Sequence, residues 1–295
     1  AGLGPAVLVL EDLQWIDASS VELLGELFSL TATSPVLFCL VSRLDNDSIG
    51  WQLIVKAQEN FGPRLTRIEL SNLDEDQSLR LMQEWIDIEK IPESIQEMVL
   101  TKSEGNPYFI EELMQMLDNE NQLANLDNPW ANAPKLSANK IPDSLQGLLT
   151  ARIDRLPPDA RFTLQMASII GRNFPESVLE HVIADRAPEI SLMEQLSTLE
   201  SIGMVKVARI QPELTYQFKH ILMHNAAYHA ILDTDRSELH LAVGSALEEL
   251  YPDQRERLAS QLALHFLEGG DPDKAFEYLD LAGHVAMDSY ANAEA

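Results

Sequence analysis

Two adjacent carboxylates, Glu11 and Asp12, follow an unbroken apolar run at residues 7–10. Four bulky residues without polar alternation predict a strand that is buried on both faces, as in a parallel sheet with helices above and below. Ligands of open α/β sheets bind at the carboxyl ends of the strands. We therefore expect Glu11 to bind Mg²⁺ through water and Asp12 to polarise an attacking water, although spacing leaves open which acid has which role. The alternative is a strand that ends in a solvated acidic turn.

The segment around these acids carries a family resemblance. Residues 8–17 (LVLEDLQWID) resemble the Walker B segment of STAND-type signalling ATPases, a branch related to the AAA+ proteins. More narrowly, the chain is similar to the ATPase module fused to many bacterial adenylate/guanylate cyclases, protein kinases and LuxR-type regulators. Further matching segments follow in the family's order: Ser42-Arg43, 105–113 (GNPYFIEEL), 141–146 (IPDSLQ), 218–220 (FKH) and 262–266 (LALHF). The resemblance implies ATP and Mg²⁺ as cofactors.

The resemblance also gives roles to Arg43 and to the turn Gly105-Asn106-Pro107. Arg43, at the end of a second apolar run, is expected to meet the γ-phosphate and to supply positive charge during phosphoryl transfer. The alternative is a solvated arginine at a strand end, since the family usually follows this arginine with proline and this chain has Leu44. The turn matches the GxP motif, which places proline near the adenine or ribose. The alternative there is a plain turn between two helices.

A phosphate-binding loop of the form GxxxxGK[ST] occurs nowhere in the 295 residues. Such a loop supplies backbone N–H groups for the phosphates, together with a lysine and a Ser/Thr for phosphate and Mg²⁺. The family places it well upstream of Walker B, whereas this sequence starts at Ala1. We expect the sequence to be a fragment whose amino-terminal half-domain lies outside it. The alternative is a degenerate protein without the loop.

Composition restricts the partners and the compartment. A formal net charge of −26 and a pI near 4.5 argue against a nucleic-acid surface and against an anionic membrane, because both need a basic face. The single cysteine, Cys39, lies within the apolar run at 36–41, which predicts a core position and fits a reducing cytoplasm. No apolar stretch approaches the ~18–20 residues that span a bilayer.

Residues 1–72 are predicted to form the C-terminal half of a P-loop NTPase sheet. Residues 19–22 (SSVE) have the form of a capping box and predict the start of a helix, with Asp17 as an alternative cap. A second strand is predicted at 35–42 and a third, edge-like strand at 65–70. Alternating strands and helices are typical of a parallel α/β domain.

The rest of the chain is predicted to be mainly helical. Residues 73–118 resemble the helical lid of AAA+-related ATPases, and 119–140, rich in asparagine, read as a linker. Residues 141–235 predict helices near 143–156, 158–170, 175–184 and 190–202, then a two-stranded ribbon at 204–208 and 214–218. Helices followed by such a ribbon favour a winged-helix domain.

The predicted recognition helix of that domain, residues 191–202, carries Glu194 and Glu200 and no Lys or Arg. We therefore expect it not to read DNA and, by resemblance, to pack on the nucleotide domain instead. His220, His224 and His229 lack the HExxH pattern and a nearby acidic ligand, which favours interface packing over a zinc site.

Residues 236–295 resemble the beginning of a tetratricopeptide (TPR) array. Small residues alternate with aromatics in helices that are separated by a Gly-Gly-Asp-Pro turn at 269–272. We expect Leu262, Phe266, Tyr278 and Leu279 to face a neighbouring helix pair outside the sequence and to be uncovered here. An array of this kind would bind protein partners.

Two functions from different classes follow from these observations. The first is an ATP-dependent signalling switch that regulates an attached or partner output domain, such as a cyclase, a kinase or a transcription regulator. The second is a non-catalytic scaffold that retains the STAND fold without nucleotide hydrolysis. A Walker A motif in the complete gene would distinguish the two.

Overall fold

The structure is a computed structural model that describes residues 4–45, 47–85, 91–121 and 142–288. The chain divides after Leu70 and again after Leu281 into two compact units, and the segment after Leu281 groups with the first. No helix within the described ranges is both long and apolar enough to cross a bilayer. Each unit is described by itself.

The first unit contains a pair of parallel strands and two helices. β1 (Ala6–Leu10) pairs with β2 (Val36–Leu40) in a register that runs from Ala6 opposite Val36 to Leu10 opposite Leu40. α1 (Ala18–Leu27) and α2 (Ile49–Phe61) pack on one face of this pair. The shared core is small and consists of Leu13, Leu24, Phe28, Leu53 and Ala57, with Phe38 packed against it.

The other face of the strand pair is open, which corrects two predictions. β1 is not buried on both faces, because Val7 is 63% and Val9 57% exposed. In β2, burial alternates, so that Phe38 faces the core while Leu37 and Cys39 face outward. The prediction of a core position for Cys39 is therefore wrong. A run of apolar residues alone does not reveal that only one face of the sheet is covered.

The strand predicted at 65–70 is also absent. The segment is extended but pairs with neither β1 nor β2, and Ile68 and Leu70 are 79% and 92% exposed. Arg67 instead forms an ion pair with Glu69 and lies over the ring of Trp51. Alternating apolar residues form a strand only where a neighbour offers backbone hydrogen bonds, and none does so here.

The second unit begins with three short helices, α3 (Glu75–Gln83), α4 (Glu93–Ser103) and α5 (Pro107–Asn121). Their facing sides form one buried cluster. Its fully buried members include Met82, Val99, Ile110, Leu113 and Met114. α5 continues three residues past the predicted lid boundary at 118, and most of the predicted linker lies outside the described residues.

A larger core follows in the same unit. Four helices, α6 (Leu145–Asp154), α7 (Pro158–Ile170), α8 (Glu176–Arg186) and α9 (Leu192–Ser201), pack with a three-stranded antiparallel sheet. The strands are β3 (Asn173–Pro175), β4 (Val205–Arg209) and β5 (Thr215–Phe218), in the order β3-β5-β4. No sequence pattern predicted β3, which is only three residues long. The assignment of these elements to a winged helix stays a prediction.

The last helices are α10 (Ile221–His229), α11 (Asp233–Leu250), α12 (Arg255–Glu268) and α13 (Pro272–Asp288). Leu262, Phe266 and Tyr278 were expected to be uncovered, but they are 0%, 1% and 2% exposed within this chain's own core. The ring of Phe266 stacks on Tyr278 and packs against α11 at Gly244, where an added Cβ would lie 3.0 Å from that ring. Only Leu279, 53% exposed, is uncovered as predicted.

Candidate functional site

The turn that follows β1 brings the predicted acids to the carboxyl edge of the strand pair. The backbone N–H of Val41 donates to Leu10 O (2.8 Å) and that of Leu13 donates to Val41 O (3.1 Å), so the parallel pairing continues past both strand ends. Between these bonds the chain reverses at Asp12, which has φ 57° and ψ 37°. Such a left-handed conformation is uncommon for a residue other than glycine and directs Glu11 and Asp12 to the exposed edge.

Gln14 connects Asp12 to Arg43. Its side-chain amide donates from Nε2 to Asp12 Oδ1 (3.1 Å), and its Oε1 accepts from the backbone N–H of Arg43 (3.2 Å). Two of the predicted residues, which lie 31 positions apart, are thus held on one turn by one neutral side chain. Sequence reasoning did not single out Gln14, although it lies inside the segment that carries the family resemblance.

The start of α2 packs against the turn at Leu13. Gly50 is buried, and a Cβ added there would lie 1.9 Å from Leu13 O, so only glycine lets α2 approach this closely. Ser48 caps the helix by accepting from Trp51 N (3.2 Å). Gly50 is a second residue that the sequence analysis missed, because an isolated glycine near a helix start gives no signal of the contact it permits.

Asp17 is a helix cap. Its carboxylate accepts from the backbone N–H of Ser20 at 2.8 Å, and hydrogen bonds from Ser20 hold its pKa below the ordinary value. α1 therefore begins at Ala18, with Asp17 in place of the capping box predicted at 19–22. The carboxylate of Asp17 therefore serves as the cap of α1 and is not assigned to the site formed by Glu11 and Asp12.

The donor set of the turn suits Mg²⁺ bound mainly through water. Glu11 and Asp12 are exposed carboxylates, and Asp12 Oδ1 accepts a hydrogen bond from the neutral amide of Gln14. Mg²⁺ usually keeps several waters and takes one or two protein carboxylates. Across the described residues no group of three or more His, Cys, Asp or Glu side chains could enclose a metal ion.

The turn Gly105-Asn106-Pro107 belongs to the second unit, and its backbone forms several hydrogen bonds within the fold. Gly105 has φ 76°, and an added Cβ would lie 2.1 Å from Leu73 O. Gly105 O accepts from Leu73 N (2.8 Å), while Asn106 Oδ1 caps α5 by accepting from Phe109 N (3.1 Å). Asn106 and Pro107 remain exposed. These contacts explain the segment as a turn that connects α4 and α5, with the side that carries Asn106 and Pro107 exposed to solvent.

The first two turns of α5 also contact the larger core of the same unit. The ring of Tyr108 stacks on His220 with centroids 3.8 Å apart. Burial, and then the charge of Glu112, raise the pKa of Tyr108, while burial lowers the pKa of His220. Glu112 Oε2 pairs with Arg152 Nη1 of α6 at 2.5 Å, and Arg152 also donates to Ile202 O.

Of the other predicted histidines, His224 is used in packing. Its Nε2 lies 3.0 Å from Ser168 O, and its ring meets that of Phe218 edge to face at 5.2 Å. A different pair, which the sequence did not indicate, is buried deeper: His240 and His265 face each other through their Nδ1 atoms at 2.9 Å. Tyr228 Oη lies 2.9 Å from Nε2 of His240.

Comparison with known proteins finds a family match, over part of the chain, and a similar protein. Residues 74–128 match a family described as a domain of unknown function (DUF8739), which covers α3, α4 and α5. An uncharacterized protein of Rhizobium meliloti (strain 1021) is 27% identical over 252 residues, which are 83% of this chain and 22% of that protein. The chain therefore spans about a fifth of the length of this curated relative.

Proposed function

We propose that these residues form part of an ATP-dependent signalling switch. The observation that supports the proposal best is the edge of the strand pair, where Gln14 holds Asp12 beside Arg43. Acids and an arginine at the carboxyl ends of adjacent parallel strands are suited to phosphoryl transfer. The resemblance of residues 8–17 to a Walker B segment points the same way. The phosphate-binding loop that such chemistry needs is not in this sequence.

Each side chain has a defined task in this proposal. Bound Mg²⁺·ATP would supply the phosphoryl group and the metal charge. Glu11 and Asp12 orient and polarise water at the exposed edge, and the amide of Gln14 fixes the carboxylate of Asp12. Arg43 presents a guanidinium where negative charge develops on the transferred group. The exposed turn at Asn106 and Pro107, in the other unit, is proposed on its own, by the GxP resemblance, as a contact for adenine or ribose.

The conformational step is proposed to use α5, because this helix carries Pro107 at its first position and reaches the neighbouring core through Tyr108 and Glu112. A shift of the turn would thus move the contacts with His220 and Arg152. We further propose that the winged-helix domain predicted at 141–235 comprises the elements from α6 to α10, and that α11 to α13 begin the TPR-like array predicted at 236–295. In this proposal the module is cytoplasmic and acts on an attached or partner output domain, without nucleic acid or membrane.

A non-catalytic scaffold is the second candidate. It is favoured by the hydrogen bonds of Gly105 and Asn106, since they explain that turn through the fold alone. A scaffold needs the helical unit and no chemistry at Asp12.

The experiment compares Asp12→Asn with Asp17→Asn in the complete gene product. The two substitutions are matched in chemistry, but only Asp12 belongs to the proposed water site, while Asp17 caps α1. We expect Asp12→Asn to retain ATP binding in calorimetry and to slow hydrolysis by at least ~10², the scale for a group that assists proton transfer. Asp17→Asn should leave turnover nearly unchanged. Equal turnover in wild type and Asp12→Asn would remove Asp12 from the catalytic role, and absence of hydrolysis in the wild type would favour the scaffold.

A further inference from the structure

A cleft in the second unit has the form of a small-molecule site and is unrelated to the residues above. It has a volume of about 410 Å³ and lies where the sheet of β3, β4 and β5 meets α11 and α12. Its apolar lining includes Pro175, Ala208, Leu247 and Leu258. Its charged lining residues are Arg209, Glu213 and Arg257. Two cationic groups and one anionic group give the lining a positive balance in a chain whose net charge is −26.

The one acid of the cleft is held by hydroxyl groups. Glu213 Oε1 accepts hydrogen bonds from Tyr251 Oη (2.5 Å) and from Ser177 Oγ. The two hydroxyls lie 3.1 Å apart. Burial, and then the bond to Glu213, raise the pKa of Tyr251 to about 12, so the phenol stays a donor. Glu213 is thereby fixed between α8 and the end of α11, and within the described residues no cation lies within 4.0 Å of its carboxylate.

The two arginines are positioned by neutral acceptors. Arg209 Nη2 donates to Thr215 Oγ1 at 3.3 Å, and Arg257 Nε donates to Gln254 Oε1 at 3.0 Å. Neither guanidinium forms an ion pair with a carboxylate in the parts of the chain that the structure describes. A guanidinium has five N–H donors in a fixed planar fork, so each side chain retains donors for a further acceptor.

We propose that this cleft binds a small organic anion, with Arg209 and Arg257 as its anchors. Both arginines line the same cavity, and planar guanidinium forks bind carboxylate or phosphate oxygens through paired hydrogen bonds. The apolar lining and the ring of Tyr251 receive the non-polar part of the ligand. Ligand sites usually combine apolar lining with a few converging polar groups, and this cleft has both, with polar residues in the majority.

The test uses aromatic probes that share a phenyl ring and differ in the charge of its substituent. Calorimetry on the full chain measures phenyl phosphate, benzoate and benzylamine at low and at moderate salt. We expect binding of at least one of the two anions, no binding of the cation, and weaker anion binding at higher salt. Inorganic phosphate should bind more weakly than phenyl phosphate, because it leaves the apolar wall uncovered. Whether the phosphate or the carboxylate binds more tightly identifies the anionic group that the cleft prefers.

The variants Arg209→Gln and Arg257→Gln each remove one anchor. Loss of a hydrogen bond to a charged group should weaken anion binding about tenfold or more. Arg80→Gln, which removes an exposed arginine of α3 away from the cleft, is the matched control and should bind as wild type does. The proposal is overturned if neither anion binds at millimolar concentration, or if Arg80→Gln weakens binding as much as the cleft variants. ATP plays no part in the assay, so failure of the proposed switch would not affect it.

Discussion

The buried pair His240 and His265 predicts that the α11–α12 region loses stability as the pH falls. The two side chains are 4% and 2% exposed, and their Nδ1 atoms lie 2.9 Å apart. Only one of the two Nδ1 atoms can carry a hydrogen in this contact, so the two rings cannot both be protonated while it persists. Burial, and then the neighbouring His240, lower the pKa of His265 to about 3, and burial also lowers the pKa of His240.

The sign of the effect follows from these lowered pKa values. In the unfolded chain His265 titrates near the ordinary pKa of ~6.5. Folded stability is therefore fully present above that pH and declines as the pH falls toward the folded value of about 3. At pH 5 the unfolded state is protonated while the folded side chain is still neutral. The resulting loss from His265 alone is about 2 kcal/mol relative to pH 8.

The assay equilibrates the protein in urea at pH 8 or pH 5 and then reads the unfolded fraction of α11–α12 with a short deuterium pulse at one common pH. His265→Asn is the informative variant, because its amide can still bond to His240 but does not titrate. The variant should lose most of the ~2 kcal/mol difference between the two pH values. His229→Asn, which changes an exposed histidine of α10, is the control. The same pH dependence in wild type and His265→Asn would refute the reasoning.

Two further predictions concern the contacts of α5. Arg152→Met should destabilise α5 and α6 by about 3–5 kcal/mol, measured by deuterium exchange, because it leaves Glu112 buried without its 2.5 Å partner. The double variant Glu112→Leu/Arg152→Met should recover most of this stability. No recovery in the double variant would contradict the ion-pair explanation. Gly105→Ala should destabilise α3–α5 by more than ~1 kcal/mol in the same measurement, because φ is 76° and the new Cβ would lie 2.1 Å from Leu73 O. The matched change Gly25→Ala meets nothing within 4 Å in α1 and should be neutral or stabilising; similar losses in both glycine variants would contradict the argument.

Several local features could be predicted from the sequence because they depend on short-range chemistry. The helix predicted at 158–170 is α7, which begins with proline at its first position and ends before Gly171 at φ 136°. The ribbon predicted at 204–208 and 214–218 is the pair β4 and β5 to within one residue at each end. Asp17 was recognised as a possible cap because its side chain can reach backbone N–H groups within one helical turn.

The candidate site depended on contacts that no local pattern contains. Apolar spacing predicted strands that end at Glu11 and near Arg43, but only the parallel register of β1 and β2 brings those ends together. The roles of Gln14 and Gly50 also depend on tertiary structure. Gln14 bonds to Arg43, 29 positions away, and Gly50 of α2 contacts Leu13 in the turn after β1.

Burial was likewise decided by tertiary structure. The sequence determined that residues 7–10 and 36–40 are apolar strands, and that Leu262, Phe266 and Tyr278 lie on an apolar helical face. It could not determine what covers them. β1 has an open face because no element of its unit, among the described residues, covers Val7 and Val9, whereas Phe266 and Tyr278 are covered by each other and by α11. Periodicity specifies which side of an element is apolar, but burial requires a second surface that arrives from a distant part of the chain.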